Sequence, residues 1–559
     1  MCYFFIFHYF YLINYYSSIV VYITLKISNF FIKFFTMSDA KLIKNIQSTF
    51  SMYGFNITRD ISTYIARQLK TVSADEREVW LINITDQLSN LNLSTPHITL
   101  EHVKEAIKEC LRPDDALHES ETIFNVINMF NIPKVIYDID KKKLTLQKVS
   151  SELFVDAIHK SSIFRDRLSL LKYVTLKQEP FAPKKIREIS EEKYELTSIE
   201  QLLSNCRNGD VFVMGILSQL TEGQYYLEDA GGAIKVDLKQ ATFAPGLIAE
   251  GCIVIVNGIY NEGILEVSEI GLPPAEPSAD ARIGFGADNT FGGPHKTSLK
   301  FSEKLKAYEQ SHSGDMIVFI SDVWLDNSDV LNKLKVIIDG YSEDPPVAFV
   351  LCGHFLSSPP SNTSVQKLKE GFTNLAKIIQ EYPDVRQYSK FVFVPGPLDL
   401  GAPKILPRGP LPKTLLNDFI RLVPGTIFAS NPCRIQYCTK EIVVLREDIL
   451  TKFCRHTLKY PEHGHVWNHY ARSIICQSHL APMNLPVVPV YWKHDHTLQL
   501  YPTPDLIVIA DQFQTYSTSY SDCKVINPGT FLRSNFAFKV YKPGMNEIEE
   551  CEVPADDGM

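Results

Sequence analysis

Four uninterrupted apolar runs, at 316–320, 347–351, 391–394 and 506–509, constrain this chain more than any other feature, because each gives way at once to a polar or glycine-rich turn. A strand with one wet face alternates apolar and polar side chains. A run without alternation belongs to a strand covered on both faces, as in a parallel sheet flanked by helices. Helical spacing at 330–338 and 366–379 supplies such covers, so 298–545 reads as an α/β domain. Ligands of open α/β sheets gather at the carboxyl ends of the strands. Here those ends read Ser321-Asp322-Val323-Trp324, Cys352-Gly353-His354-Phe355, Pro395-Gly396-Pro397-Leu398-Asp399 and Ala510-Asp511-Gln512-Phe513.

The chain has 559 residues, and at roughly 150 per domain there is room for two or three further domains. Helical spacing of Leu42, Ile43, Ile46 and Phe50, of Ile61, Ile65 and Leu69, and of Val103, Ile107 and Leu111 predicts a small all-α domain over 37–112. Ser73 with Glu76 forms a capping box there, and Thr99 can cap the last helix. Residues 113–195 mix short patterns with charge and read as a connector. Five β-rich runs, at 210–220, 224–228, 233–238, 252–260 and 264–270, suit an OB-type β-barrel over 196–272. A Pro/Gly/Ala-rich linker follows over 273–297. Its Gly284-Phe285-Gly286 lacks the third glycine and the preceding strand of a dinucleotide site. Residues 546–559 read as an acidic tail. At the other end, no Asp, Glu, Lys or Arg occurs before Lys26, and 14 of the first 36 residues are Phe or Tyr. That stretch is long enough to span a bilayer. It is built from residues of AT-rich codons rather than from Leu, Ala and Val, so we expect a spurious extension with the start at Met37 rather than a membrane anchor.

Composition narrows the function classes. With 45% hydrophobic residues, 33 Phe and 26 Tyr, the chain is neither disordered nor collagenous. A net charge of −8 gives no global attraction to a polyphosphate, so any nucleic-acid contact must be local or through a partner. On the barrel the only candidates are Tyr225, Tyr226, Lys235 and Lys239, hemmed in by Glu228, Asp229 and Asp237; such a barrel more often packs on its neighbour. Eleven scattered Cys without a C-x-x-C pair suit reduced thiols in a cytosolic or nuclear protein. Cys433 and Cys438, with Cys454 and His456 beyond, have only a superficial zinc spacing, since alternation between them places the two thiols on opposite faces of a strand. Glu462, His463, His465 and His469 read as an exposed loop.

The strand-end turns resemble, in order, those of the calcineurin-like metallophosphoesterases, whose motifs are D-x-H, G-D, G-N-H-[DE] and G-H-x-H. Asn527-Pro528-Gly529 matches the N-P-G element that follows the last of them. A pair of metals needs a carboxylate bridging both, with His and Asn in the remaining positions. Carried over position by position, Asp322 survives but its His is Trp324. The bridging Asp is His354, whose neutral ring has one lone pair. The Asn and His of the third motif are Pro397 and Leu398, and the last motif has become Ala510-Asp511-Gln512-Phe513. Asp399 keeps a supporting carboxylate, and His479 is left as the imidazole for a residual one-metal site with Asp322 and His354. The expectation is an inactive phosphoesterase-like domain with no catalytic, metal or cofactor residues. In it, Asp322→Asn would cost about 1 kcal/mol through a lost backbone cap.

An OB barrel joined to such a domain resembles the B subunits of the replicative DNA polymerases. The stretches 291–294, 320–326, 391–397, 431–438, 489–492 and 525–529 are similar to the epsilon branch of that family. The resemblance spans about 40–545. It implies a non-catalytic scaffold of a nuclear DNA-replication complex. In the family, the OB and phosphoesterase-like parts grip the zinc-bearing C-terminal domain of the catalytic subunit, small histone-fold subunits join the same complex, and the helical domain reaches the replicative helicase through GINS. It implies no cofactor and no membrane, and assigns no contact residues. An active phosphodiesterase or exonuclease and a single-strand DNA-binding OB protein are the rival classes.

Overall fold

The computed structural model describes residues 39–69, 77–90, 97–110, 123–182, 194–204, 209–401 and 403–554, which divide into two units after His118. The expectations for residues 1–36 and for the Ser73/Glu76 capping box lie outside the described residues. Among the described residues no helix is long and apolar enough to cross a membrane.

The first unit holds helices α1 (Asp39–Met52), α2 (Arg59–Leu69), α3 (Arg77–Asn90) and α4 (Leu100–Cys110). Leu42, Ile46, Phe50, Ile61, Ile65, Leu69, Val103 and Ile107, the stripes marked by the sequence, share one core with Leu81, Ile84 and Leu88. Helices this short are marginal alone, so the shared core holds them. Thr99 does cap α4. Its Oγ1 accepts from His102 N while His102 Nδ1 accepts from Thr99 N, both at 3.4 Å, an imidazole standing where a capping box usually has Glu or Gln.

The second unit begins with β1 (Phe124–Ile127), the hairpin β2 (Lys134–Asp138) and β3 (Lys143–Gln147), and helix α5 (Ile158–Lys177). The barrel follows: β4 (Asp210–Thr221), β5 (Gln224–Asp229), β6 (Gly232–Asp237), β7 (Thr242–Phe243), β8 (Ile253–Asn261) and β9 (Ile264–Gly271). Its order is β6-β5-β4-β8-β9-β7, and parallel pairing of β6 with β9 closes it as an OB fold requires. The α/β part adds β10 (Ile317–Ser321), β11 (Ala348–Cys352), β12 (Lys390–Val394), β13 (Thr426–Phe428), β14 (Cys433–Tyr437), β15 (Lys440–Arg446), β16 (Leu506–Ala510), β17 (Tyr516–Tyr520), β18 (Cys523–Asn527), β19 (Ala537–Lys542) and β20 (Glu547–Glu552). These form two sheets, β13-β12-β11-β10-β19-β20 and β1-β14-β15-β16-β18-β17, the two-sheet layout of a phosphoesterase-type fold. One face of the first sheet, with Val318, Ile320, Phe349, Leu351, Phe391 and Phe393, packs under the helices Ser328–Gly340 and Ser364–Gln380. One face of the second, with Val443, Leu445, Ile507 and Ile509, shares a core with the barrel residues Val213, Leu217, Val254 and Leu265.

Three readings need correction. Residues 113–195 are more than a connector. β1 extends the second sheet by pairing antiparallel with β14. α5 packs Leu168 and Leu171 on Met214 and Ile253 of the barrel and Leu170 and Val174 on Val135 and Leu144 of the hairpin. A helix covered on several sides has no clean apolar stripe, which hid it from the pattern. The 273–297 linker is also packed. Arg282 makes a buried two-pronged pair with Glu441 at 3.2 and 2.5 Å, and the Arg434 guanidinium lies 5.2 Å from the centre of the buried Phe291 ring. Its Pro and Gly content marks irregular backbone, not exposure. The acidic tail, finally, supplies β20 through Glu547–Glu552, with Glu550 paired to the buried Lys539 at 2.5 Å; residues 555–559 lie outside the described residues.

Candidate functional site

The ends of β10, β11, β15 and β16 bring together the residues carried over from the phosphoesterase motifs, and a guanidinium stands at their centre. Arg446, the last residue of β15, is fully buried. Its Nη2 donates to Asp322 Oδ1 at 2.8 Å, and its Nη1 donates to Asp448 Oδ1 at 3.0 Å and to Ala510 O at 3.2 Å; its Nε donates to Gly353 O. Asn431 fixes the strand beneath, accepting from Arg446 N at 3.0 Å and donating to Arg446 O and Pro395 O at 2.7 and 2.9 Å.

The surviving acids are occupied in the same way. Asp322 has φ of +55°, a left-handed conformation that Asp tolerates better than most residues. It accepts from His354 N at 2.9 Å and from Thr530 Oγ1 at 2.9 Å besides Arg446. Burial alone would raise its carboxyl pKa, but the Arg446 guanidinium together with His354, whose backbone N–H it accepts, outweighs that and holds it below the ordinary value. Asp399 accepts from Phe355 N at 2.8 Å and Gly396 N at 2.7 Å, pinning two strand-end turns together; burial pushes its pKa up to about 6. Asp511 accepts from Leu450 N and Phe513 N, both at 2.9 Å, and burial with the nearby Asp448 charge raises it to about 6. His354 sits with Nδ1 3.4 Å from Asp322 Oδ1. Burial and the Arg446 charge lower its pKa to about 4, so the ring is neutral near pH 7. Trp324 stands where the first-motif His would be, with the exposed Arg533 guanidinium 5.6 Å from its ring centre.

The proposed third ligand is elsewhere. His479 accepts at Nδ1 from Ala481 N and meets Arg167 Nη2 at 3.0 Å through Nε2, beside the Arg167–Asp495 ion pair at 2.5 Å. Neither Asp322 nor His354 takes part in that cluster, so the three residues do not make one site. Among the described residues no group of three or more His, Cys, Asp or Glu converges in a way that could hold a metal ion.

The other candidates also separate. Tyr225 and Tyr226 are neighbours on β5 and point to opposite faces; Tyr225 packs on the barrel core while Tyr226 lies across from Lys235, so they make no joint stacking platform. Lys239 pairs loosely with Asp237 at 3.6 Å. His469 accepts from Gly246 N at 3.0 Å and donates from Nε2 to His463 O at 2.8 Å, while His465 stacks on Trp467 with centroids 4.3 Å apart; Glu462, His463 and His465 are in the exposed loop expected, but His469 belongs to the helix Val466–Cys476 and ties that loop to it. Cys433 and Cys438 are free and buried, and burial lifts the Cys438 thiol to about 12, well away from a zinc-binding thiolate. Phe285 packs against Tyr501 at 6.2 Å, in a core rather than a phosphate loop. Sequence reasoning missed Arg446, Asn431, Asp448 and Thr530. Arg446 follows the apolar run at 442–445 as the other strand-end residues follow theirs, and that was the available signal.

Three family models match this chain in succession: the DNA polymerases epsilon N terminal at 38–110, the OB-fold domain of DNA polymerase epsilon subunit 2-like proteins at 157–274, and the B subunit of DNA polymerases alpha and epsilon at 317–518. Among similar curated proteins, DNA polymerase epsilon subunit 2 of Homo sapiens is 40% identical, the match covering 92% of this chain and 99% of that one. Its counterpart in Drosophila melanogaster is 39% identical over 92% and 98% of the two chains. The DNA polymerase epsilon B subunit of Arabidopsis thaliana is 33% identical over 92% and 99%.

Proposed function

The chain belongs to the family of DNA polymerase epsilon B subunits, and from that premise we propose that it is a non-catalytic scaffold of the nuclear replicative polymerase. In this reading the barrel and the two-sheet domain grip the C-terminal domain of the catalytic subunit. The small histone-fold subunits join the same assembly, and the N-terminal helices reach the replicative helicase through GINS. The observation that carries the non-catalytic part is the Arg446 guanidinium, held by Asp322, Asp448 and two carbonyls where the phosphoesterase strand ends meet. A permanent organic cation there satisfies the carboxylate that would otherwise hold a metal, and offers no open coordination position to polarise a phosphoryl oxygen. The fusion of barrel and second sheet into one core supports the scaffold part, since it presents two domains as a single rigid platform.

Co-expression with the C-terminal domain of the catalytic subunit tests the assembly. Stoichiometric copurification is the expected result, and a chain that remains separate on gel filtration would sink the reading. Phosphodiester hydrolysis in Mn²⁺, Mg²⁺ or Zn²⁺ that vanishes in Asp322→Asn would overturn the non-catalytic part alone.

A further inference from the structure

The hairpin β2–β3 and helix α5 hold nine Lys and Arg against three Asp, in a chain whose net charge is −8. The ion pairs within this region remove most of its acids from view. Lys134 binds Asp166 at 2.6 Å and Lys141 binds Asp138 at 2.9 Å, leaving Asp140 as the one exposed carboxylate of these elements with no partner among the described residues. Two of the cations are also taken inward, Arg167 by Asp495 and Lys177 by Glu276. Lys142, Lys143, Lys160, Arg165 and Lys172 are exposed and have no ion pair among the described residues; just beyond these elements Lys148 is in the same state, as are the acids Asp156 and Glu179 at the two ends of α5.

Geometry gathers several of them on one side. β2 runs alongside α5, with Lys134 against Asp166 and Tyr137 stacked on Tyr173 at 4.5 Å, so the hairpin tip with Lys142 and Lys143 lies toward the C-terminal end of the helix. Arg165 and Lys172 are two turns apart and share the strip of α5 left exposed between its hairpin-facing Leu170 and Val174 and its barrel-facing Leu168 and Leu171.

We propose that the tip of the β2–β3 hairpin and the solvent face of α5 form a contact surface for the phosphodiester backbone of duplex DNA. Phosphates are the partner these residues fit. Lys is depleted in the cores of protein–protein interfaces, whereas exposed, unpaired Lys and Arg are what backbone-positioning contacts use. The surface carries no row of stacking aromatics and no base-reading helix, so it holds DNA without reading sequence. This goes beyond the scaffold reading and does not depend on it.

The test uses the full chain and a duplex of arbitrary sequence, followed by fluorescence anisotropy at several salt concentrations. Lys142→Gln/Lys143→Gln/Lys172→Gln should weaken binding roughly tenfold near 0.1 M salt and lower the salt slope by about three. A charge-matched control, Lys367→Gln/Lys369→Gln/Lys377→Gln on the exposed side of another helix, should leave both unchanged. In the full chain, acetylation of Lys142, Lys143 and Lys172 should slow when DNA is added. Equal affinity in the first variant, equal loss in the control, or acetylation indifferent to DNA would each overturn the proposal; binding of an acidic protein in place of DNA would do so too.

Discussion

At the scale of single residues, the Arg446 cluster decides what this domain can tolerate. Removing one partner of a buried ion pair strands the other charge, at a cost of about 3–5 kcal/mol. Arg446→Met should therefore lower stability by that much in chemical denaturation. Asp322→Asn should do the same rather than cost the single cap's worth expected from sequence, because Asp322 serves a guanidinium, a backbone N–H and Thr530 together. The double variant should recover more than about 1 kcal/mol of the summed loss, the coupling expected of groups in one network. The pH response has two signs. Asp399 and Asp511, raised to about 6, take up protons in the folded chain before the unfolded chain does, so their contribution to stability falls as pH rises from about 4 to about 6. Asp322, held low, contributes above the ordinary carboxylate pKa and loses that contribution as pH falls below it. Asp511→Asn should remove one of the rising penalties. The stability gap between wild type and Asp511→Asn, followed by melting from pH 4.5 to 6.5, should shift by about 2 kcal/mol in favour of the variant. The losses at this site were legible in the sequence, since Trp324, Pro397, Leu398 and Phe513 announce them. The gain was not. Arg446 acquires its role only when strand ends distant in sequence converge, and no local pattern encodes that meeting.

At the scale of elements, legibility followed coverage. Strands β10, β11, β12 and β16 stand within a residue or so of their apolar runs, because burial on both faces leaves an unbroken signature. The barrel strands were equally clear from their alternation and turns. β1, α5 and β20 were not, since two are short or acidic edge strands and the third is a helix covered by several neighbours. The helix Ser364–Gln380 shows how closely elements approach. A Cβ on Gly371 would lie 2.6 Å from Leu325 Cβ and 3.0 Å from Leu325 O. Gly371→Ala gains up to about 1 kcal/mol of helix propensity but overpacks a fixed backbone at about 1–3 kcal/mol. A net loss in urea denaturation is expected. β1 provides a second check. Val126 lies opposite Ile435 in the ladder, and Val126→Pro should unpair that edge and speed hydrogen exchange at residues 434–437 while leaving the barrel amides protected.

At the scale of the whole molecule, the second unit presents a groove of about 380 Å³ lined by Leu153, Phe154, Val155, Ile405, Leu485, Pro489, Val490, Tyr491 and Trp492, with Phe154 88% exposed. Permanent interfaces between chains resemble a core cut in half. The chain expressed without partners should therefore bind a hydrophobic dye, and Phe154→Glu should cut the signal without lowering the melting temperature, because that side chain supports little of its own fold. The thread of the chain through the sheets has a consequence for its synthesis. β1, made early, waits for β14 and β15, and β10 waits for β19, near the far end. At about 5–20 residues per second, a ribosome takes on the order of 20–80 seconds to pass from the first of these strands to the last. Throughout that interval an unpaired apolar edge hangs from the tunnel exit, so this protein should be a persistent client of nascent-chain chaperones, and a stop codon even shortly before β19 should yield a product that is degraded rather than a shorter working one.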